Sequence, residues 1–219
     1  MDVSGKATMV TTVWGDYDRY TDWWLNSVTG LHPRPRVIVV HGPPVEPRDM
    51  EHVTWVHTTD VGIYQMSDLG VSHVTTPWVW LAGVDDIPTQ AGWEELHNAP
   101  DDVDSMLISA TFLDGSCRWN SDPGTLLGPI SGYRMCGGCP FTLDLYERAG
   151  GYSNPPELDH LHEWGFYLRC LAAGVRWHDS THLVGFRTTY NPDSVGRTTI
   201  NLGVQQQQAH DYARTLGLM

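Results

Sequence analysis

The sequence predicts an α/β protein: one domain whose mixed, mainly parallel sheet carries helices on both faces. Three observations lead there. Strand-like and helix-like stretches alternate along most of the 219 residues with short connections, the pattern of a sheet with crossover helices. The apolar run 78–82 is short, continuous and bounded by turn residues, as a strand buried on both faces is. That run ends on Gly83-Val84-Asp85-Asp86, and the carboxyl ends of strands are where open α/β sheets bind ligands.

Each element has its own signal. Residues 8–14 form a β-branched run that stops at Gly15-Asp16, a first strand. Residues 20–28 put Trp24, Leu25 and Val28 on one helical face, and Gly30 and Pro33 close that helix. Residues 36–40 and 53–57 read as the second and third strands, 63–71 as a helix, 78–82 as the fourth strand, and 92–97 as the start of another helix. Residues 104–111 give a fifth strand. The stretch 114–133, rich in Gly, Pro, Ser and Asp, is mostly loop. A short helix over 142–149 stops at Gly150-Gly151. Over 158–173, Leu161, Trp164, Leu168 and Leu171 recur at helical spacing before Gly174. The segment 205–208 belongs to a terminal helix or tail. No repeat or linker divides the chain, so 1–219 is one domain, with a first half over about 8–100 and a second over about 101–200.

Composition excludes several classes. A formal charge of −13 argues against a nucleic-acid backbone as the main partner, because such binding needs a basic face. No apolar run approaches the roughly 20 residues of a membrane span, and the first residues lack the basic and apolar segments of a signal peptide. A cytoplasmic protein is expected. The ten tryptophans and nine tyrosines belong mainly in core, with some available to stack on sugars or a base. Lys6 is the one lysine against twelve arginines, a bias that fits GC-rich coding in a phage or actinobacterium. Of the four cysteines, Cys136 and Cys139 form a CxxC that suits a redox pair, half a zinc site, or buried free thiols. No partner pair stands at zinc spacing, which favours free thiols.

The run from Gly62 to Leu96, a helix, a strand, an acidic turn and a helix start, resembles the core of GT-A glycosyltransferases, above all the large inverting family numbered two. The stretch Tyr146-Glu147-Arg148-Ala149-Gly150-Gly151-Tyr152, followed by His162-Glu163-Trp164, Leu168-Arg169 and Ala173-Gly174, resembles that family's second block. The likeness extends over roughly Val10 to Arg197. There are departures. Gly83 stands for the first aspartate of the family's D-x-D, Ser67-Asp68 for an Arg-Asn pair beside the diphosphate, and His162 for the first acid of the second block.

The resemblance implies a GT-A fold, a nucleotide-sugar donor and transfer to an acceptor that is a protein, a glycan or a modified base. Thr12, Val13, Trp14, His41 and Asp60 are the implied nucleoside contacts, and Asp68 and Arg187 those of the diphosphate. Asp85, with Asp86 and His182, is implied to hold Mn²⁺ or Mg²⁺, which suit hard oxygen ligands shared with phosphates; His178 is the second choice of histidine. Glu163 is the implied general base, the residue that takes the acceptor proton. A first-turn acid also simply favours the positive helix end, the plainer reading of Glu163. A silent nucleotide-sugar or glycan-binding module on the same fold is the alternative function, since fold alone does not guarantee activity. A nucleotidyltransferase ranks lower, because the first turn is acidic rather than a basic glycine-rich phosphate loop.

Overall fold

The computed structural model describes residues 3–59, 62–129, 134–155, 158, 161, 163–189 and 202–219. Asp60, His162 and Arg197 lie outside the described residues. Among those described, one sheet of nine strands runs through both halves of the chain: β1 (Val3–Val13), β2 (Arg34–His41), β3 (Val53–His57), β4 (Trp78–Leu81), β5 (Asp86–Pro88), β6 (Ser105–Phe112), β7 (Arg118–Asn120), β8 (Phe141–Thr142) and β9 (Trp177–Thr188). The helices are α1 (Thr21–Thr29), α2 (Ile63–Val71), α3 (Gln90–Asn98), α4 (Leu143–Arg148), α5 (Glu163–Ala172) and α6 (Leu202–Thr215).

The strand order is β3-β2-β1-β4-β8-β6-β9-β5, with β7 on β6. The first four strands are parallel; the short β8 then inserts antiparallel between β4 and β6, and β6 pairs parallel with β9. Two reversals through β8 leave β6 and β9 pointing the same way as β1–β4. Their carboxyl ends therefore share one rim of the sheet. Every residue of β4 is buried, as the continuous apolar run predicts for a central strand. Trp24, Trp80 and Trp93 are fully buried, and Trp78 and Trp164 nearly so, which places half of the ten tryptophans in the core. No helix among the described residues is long and apolar enough to cross a membrane.

Sequence and structure differ most at the far edge. Residues 177–188 form a twelve-residue strand with mixed polar and apolar side chains, and residues 86–88 form a three-residue strand on it. Neither has an apolar run. β9 is a strand because β6 offers it a ladder, and β5 because β9 does.

Asp104 braces the starts of β6 and β9. Its carboxylate is almost fully buried and accepts from the Arg176 backbone N–H (2.9 Å), Arg176 Nε (2.9 Å) and Nη2 (2.7 Å), and Arg148 Nη2 lies 3.0 Å away. The Arg176 hydrogen bonds, outweighing burial, hold its pKa down at about 2 against an ordinary 3.8. A depressed carboxylate stabilises the fold above its unfolded pKa, and that stabilisation is lost as pH falls through the folded one. Asp104→Asn should thus lower the melting temperature most above pH 3.8, and the gap to wild type should close as pH falls toward about 2. A gap independent of pH in a melting series would show that charge at Asp104 is not what holds the two strand starts.

Candidate active site

The rim shared by the strand ends carries Thr12, Val13, Trp14 and His41 of the residues expected in the first half. β1 ends at Thr12 and Val13, with Val13 in register with His41 at the end of β2. Trp14 follows, half-buried and stacked on Tyr17 with ring centroids 5.6 Å apart. The His41 ring is buried; its Nδ1 is 2.9 Å from the Val45 carbonyl, and it meets the rings of Trp55 and His57. Exposed His57, which the sequence reading passed over, ends β3 beside it. Its strand-end position was the available signal.

The acidic turn follows β4 directly. A Cβ built on Gly83 would lie 2.8 Å from Asp85 Oδ1 and 3.1 Å from Asp86 Oδ2, so both carboxylates converge on the spot where residue 83 has no side chain. Asp86 pairs across with Thr188 in the β5–β9 ladder. Burial first, then the charge of Asp85, pushes the Asp86 carboxyl up to about 7, against a hydrogen bond to Thr188. Two acids forced together in this way form a donor set that a divalent cation relieves. The pair fits Mg²⁺ or Mn²⁺, which take one or two carboxylates and complete their shell from phosphates and water.

The expected histidine does not join them. His182 is exposed in β9, upstream of the stretch 184–188, which alone separates it from Thr188 by roughly 13 Å at strand rise. The charges beside it are those of Glu95 and Asp179. His178, the second choice, has its Nε2 3.0 Å from Glu95 Oε1. Because β9 lacks an apolar run, its length could not be read from the sequence, and His182 stands inside the strand rather than after it. No group of three or more His, Cys, Asp or Glu side chains gathers for a metal among the described residues.

Asp68 also has other partners. Its Oδ1 accepts from the Tyr146 hydroxyl (2.7 Å) and the Tyr152 N–H (2.6 Å), and its Oδ2 from the Ser153 N–H (3.0 Å). Where the sequence reading expects a diphosphate contact, the carboxylate fastens α2 to the loop after Gly150-Gly151. Both glycines have positive φ, 77° and 92°, which glycine adopts at little cost. From the other side Arg169 of α5 donates to the carbonyls of Ala149, Gly151, Tyr152 and Ser153 and to Asn154 Oδ1, at 2.7–3.2 Å. The loop leading toward α5 is therefore held from two helices.

Glu163 opens α5, half-buried. Its Oε1 lies 3.9 Å from where Gly137 would carry a Cβ. Burial first, and then the Glu163 charge, raises the pKa of Tyr152, whose hydroxyl is 3.5 Å from the Gly137 carbonyl. The next residue, Gly138, would place a Cβ 3.4 Å from the Leu81 carbonyl at the end of β4 and 3.3 Å from the Phe186 ring. The turn Cys136-Gly137-Gly138-Cys139 thus lies between the end of β4 and Glu163. Both thiols are free and buried, and burial raises both pKa values above the ordinary thiol value; the Cys139 and then the Asp86 charge add to the rise at Cys136. The CxxC is therefore a buried floor with two side-chain-free residues at its middle, not an activated redox pair. Arg187 is exposed in β9, in register with Ile87 and Thr111 and one residue from Thr188.

No family model matches the chain, and no curated protein matches it in sequence. Solved structures do match. S. aureus TarS residues 1-349 in complex with UDP-GlcNAc aligns over 96% of this chain and 66% of its own, at TM-score 0.73 and 11% identity. Another S. aureus TarS structure aligns over 86% of this chain at TM-score 0.65 and 15% identity, and this chain covers 37% of it. The mannosyltransferase PcManGT from Pyrobaculum calidifontis, in complex with GDP-Man and Mn²⁺, aligns over 96% and 73% of the two chains at TM-score 0.60 and 13% identity. At such identities the likeness speaks to architecture, and the architecture of this chain is the GT-A glycosyltransferase fold.

Proposed function

We propose that the chain is a glycosyltransferase that moves a sugar from a nucleotide-sugar donor to a hydroxyl acceptor with inversion. The observation that supports this reading is the Gly137-Gly138 turn, which has Glu163 beside Gly137 and the end of β4, the strand that leads into Asp85-Asp86, beside Gly138. In this reading the nucleoside lies along Thr12, Val13, Trp14 and His41, with Asp60 a further candidate, and Trp14 and Tyr17 offer ring faces to a base. Asp85 and Asp86 would hold a divalent cation. When bound, such an ion neutralises charge on the diphosphate leaving group. Arg187 adds a bidentate donor for the same phosphates. Glu163 accepts the proton of the acceptor hydroxyl as its oxygen bonds to the anomeric carbon, and the bond from that carbon to the diphosphate oxygen breaks. Gly137, without a side chain, leaves room for the acceptor beside Glu163.

Thermal melts with UDP or GDP, with and without Mn²⁺, test the donor end. A ligand at 100 times its Kd stabilises the native state by about 2.7 kcal/mol. Wild type should gain a Mn²⁺-dependent rise, and Asp85→Asn should lose it while melting normally without ligand. An unchanged Mn²⁺-dependent rise in Asp85→Asn would move the cation away from the acidic turn. Slow hydrolysis of nucleotide sugars by wild type separates an enzyme from a silent binding module, which binds donor without turnover.

A further inference from the structure

At the other end of the same strands the chain holds a cavity of about 430 Å³. It opens among the starts of β2 and β3 and the connection from α2 to β4, with Thr8 of β1 beside them. From Arg36 in this cavity to His41 on the donor rim is five residues of β2, roughly 16 Å at strand rise. The two sites are therefore separate. A volume of this size is in the range that small ligands occupy, roughly 300–1,000 Å³.

Its lining is unlike the rest of the molecule. Arg36, His52, His73, Thr54 and Thr75 line it together with the apolar Val37, Ile38 and Val53. In a chain with 26 acids against 13 lysines and arginines, no Asp or Glu is among the described residues lining this cavity. Glu51, whose Oε1 is 3.3 Å from His52 Nε2, does not itself line the cavity. The Arg36 guanidinium has no hydrogen-bond or ion-pair partner among the described residues and is exposed. His52 carries a φ of 67°, the one non-glycine in the left-handed region among the described residues. Non-glycine residues hold such a conformation at a cost, most often in turns and at sites.

We propose that this cavity binds a small phosphate monoester: a dianionic head on a compact carbon body. The planar, unpaired guanidinium of Arg36 presents two parallel N–H donors to one phosphate, as arginine does at phosphate sites. The ring nitrogens of His52 and His73 and the two threonine hydroxyls supply further donors around the head, and the apolar Val37, Ile38 and Val53 take the carbon body. A carboxylate has two acceptor oxygens where the monoester head has three, and inorganic sulfate has the oxygens but no carbon body. The proposal stands independently of the transferase reading, because nothing in it uses the donor rim.

Phenyl phosphate, with phenol and sodium sulfate at matched ionic strength as controls, tests it by titration calorimetry on the whole chain. Wild type should bind phenyl phosphate at one site and phenol not at all. Arg36→Gln should weaken that binding by about 10-fold, the loss expected for one charged hydrogen-bonded contact. His73→Gln should weaken it severalfold, and Arg187→Ala, at the donor rim, should leave it unchanged. Equal affinity in wild type, Arg36→Gln and His73→Gln would overturn the site. Loss in Arg187→Ala with retention in Arg36→Gln would overturn it too, by assigning the phosphate to the donor rim. Sulfate binding as tight as phenyl phosphate would overturn the monoester in favour of a general anion site. The readout is binding alone, so absence of sugar transfer would count against the transferase reading and leave this result unaffected.

Discussion

Glu163→Gln should lower sugar transfer by about 10²–10⁴-fold, the usual contribution of a positioned general base. The amide keeps the size of the side chain and its place at the first turn of α5, but it cannot accept the acceptor proton. Gly137 is next to this carboxylate, and the end of β4 is reached on the other side, from Gly138. Nucleoside diphosphate binding and melting temperature should therefore stay near wild type, and the loss should appear in kcat. Single-turnover transfer with a saturating donor measures this directly. Transfer at near wild-type rate would end the proposal of an inverting reaction driven by Glu163, and a fall in donor affinity of the same size would make Glu163 a donor ligand instead.

What the sequence disclosed and what it hid follow from where each signal comes from. The third strand and the second helix have the predicted boundaries, Val53–His57 and Ile63–Val71, because their apolar patterns are local and their turns flank them. β9 and β5 take their form from a neighbour in the ladder, so Trp177 to Thr188 gives no local pattern and His182 is displaced from the acidic pair. Asp68 has the same origin: only the folded chain brings Tyr146, Tyr152 and Ser153 to a carboxylate 78 or more residues away. The CxxC was legible as free thiols. Its place under the site was not, because Gly137 and Gly138 acquire meaning only when β4 and α5 arrive on either side. The acidic turn itself was legible because Asp85 and Asp86 stand directly after a buried strand, and the sheet does the rest.

Gly92→Ala should be among the most destabilising single-methyl additions to the chain. Gly92 lies in the first turn of α3, two residues after Gln90, where Thr89 caps the helix and its side chain accepts from the Gly92 N–H at 3.1 Å. A Cβ there would sit 2.8 Å from the Gly185 Cα, 2.9 Å from the Gly185 carbonyl oxygen and 3.0 Å from the Trp80 ring. Two of these three neighbours are backbone of β9, which cannot rotate aside. Gly185 is itself closed in, since a Cβ on it would meet Ile108 at 2.7 Å, so β9 cannot retreat toward β6. Helix and strand thus touch glycine to glycine, and the methyl must push α3 off the sheet. Overpacking of this kind costs about 1–3 kcal/mol, which for a domain of this size corresponds to a melting point lower by roughly 2–12 °C. The shift also has a direction: α3 follows β5 immediately, so moving it away from β9 strains the Asp86–Thr188 pairing and should weaken Mn²⁺-dependent nucleotide binding together with stability. Gly5→Ala, where a Cβ meets nothing within 4 Å, is the control that should melt near wild type. Calorimetry on the two variants, with the nucleotide titration repeated on Gly92→Ala, decides it: equal melting points would mean that α3 and β9 can part without cost, and the close glycine contact would lose its role in seating the acidic turn.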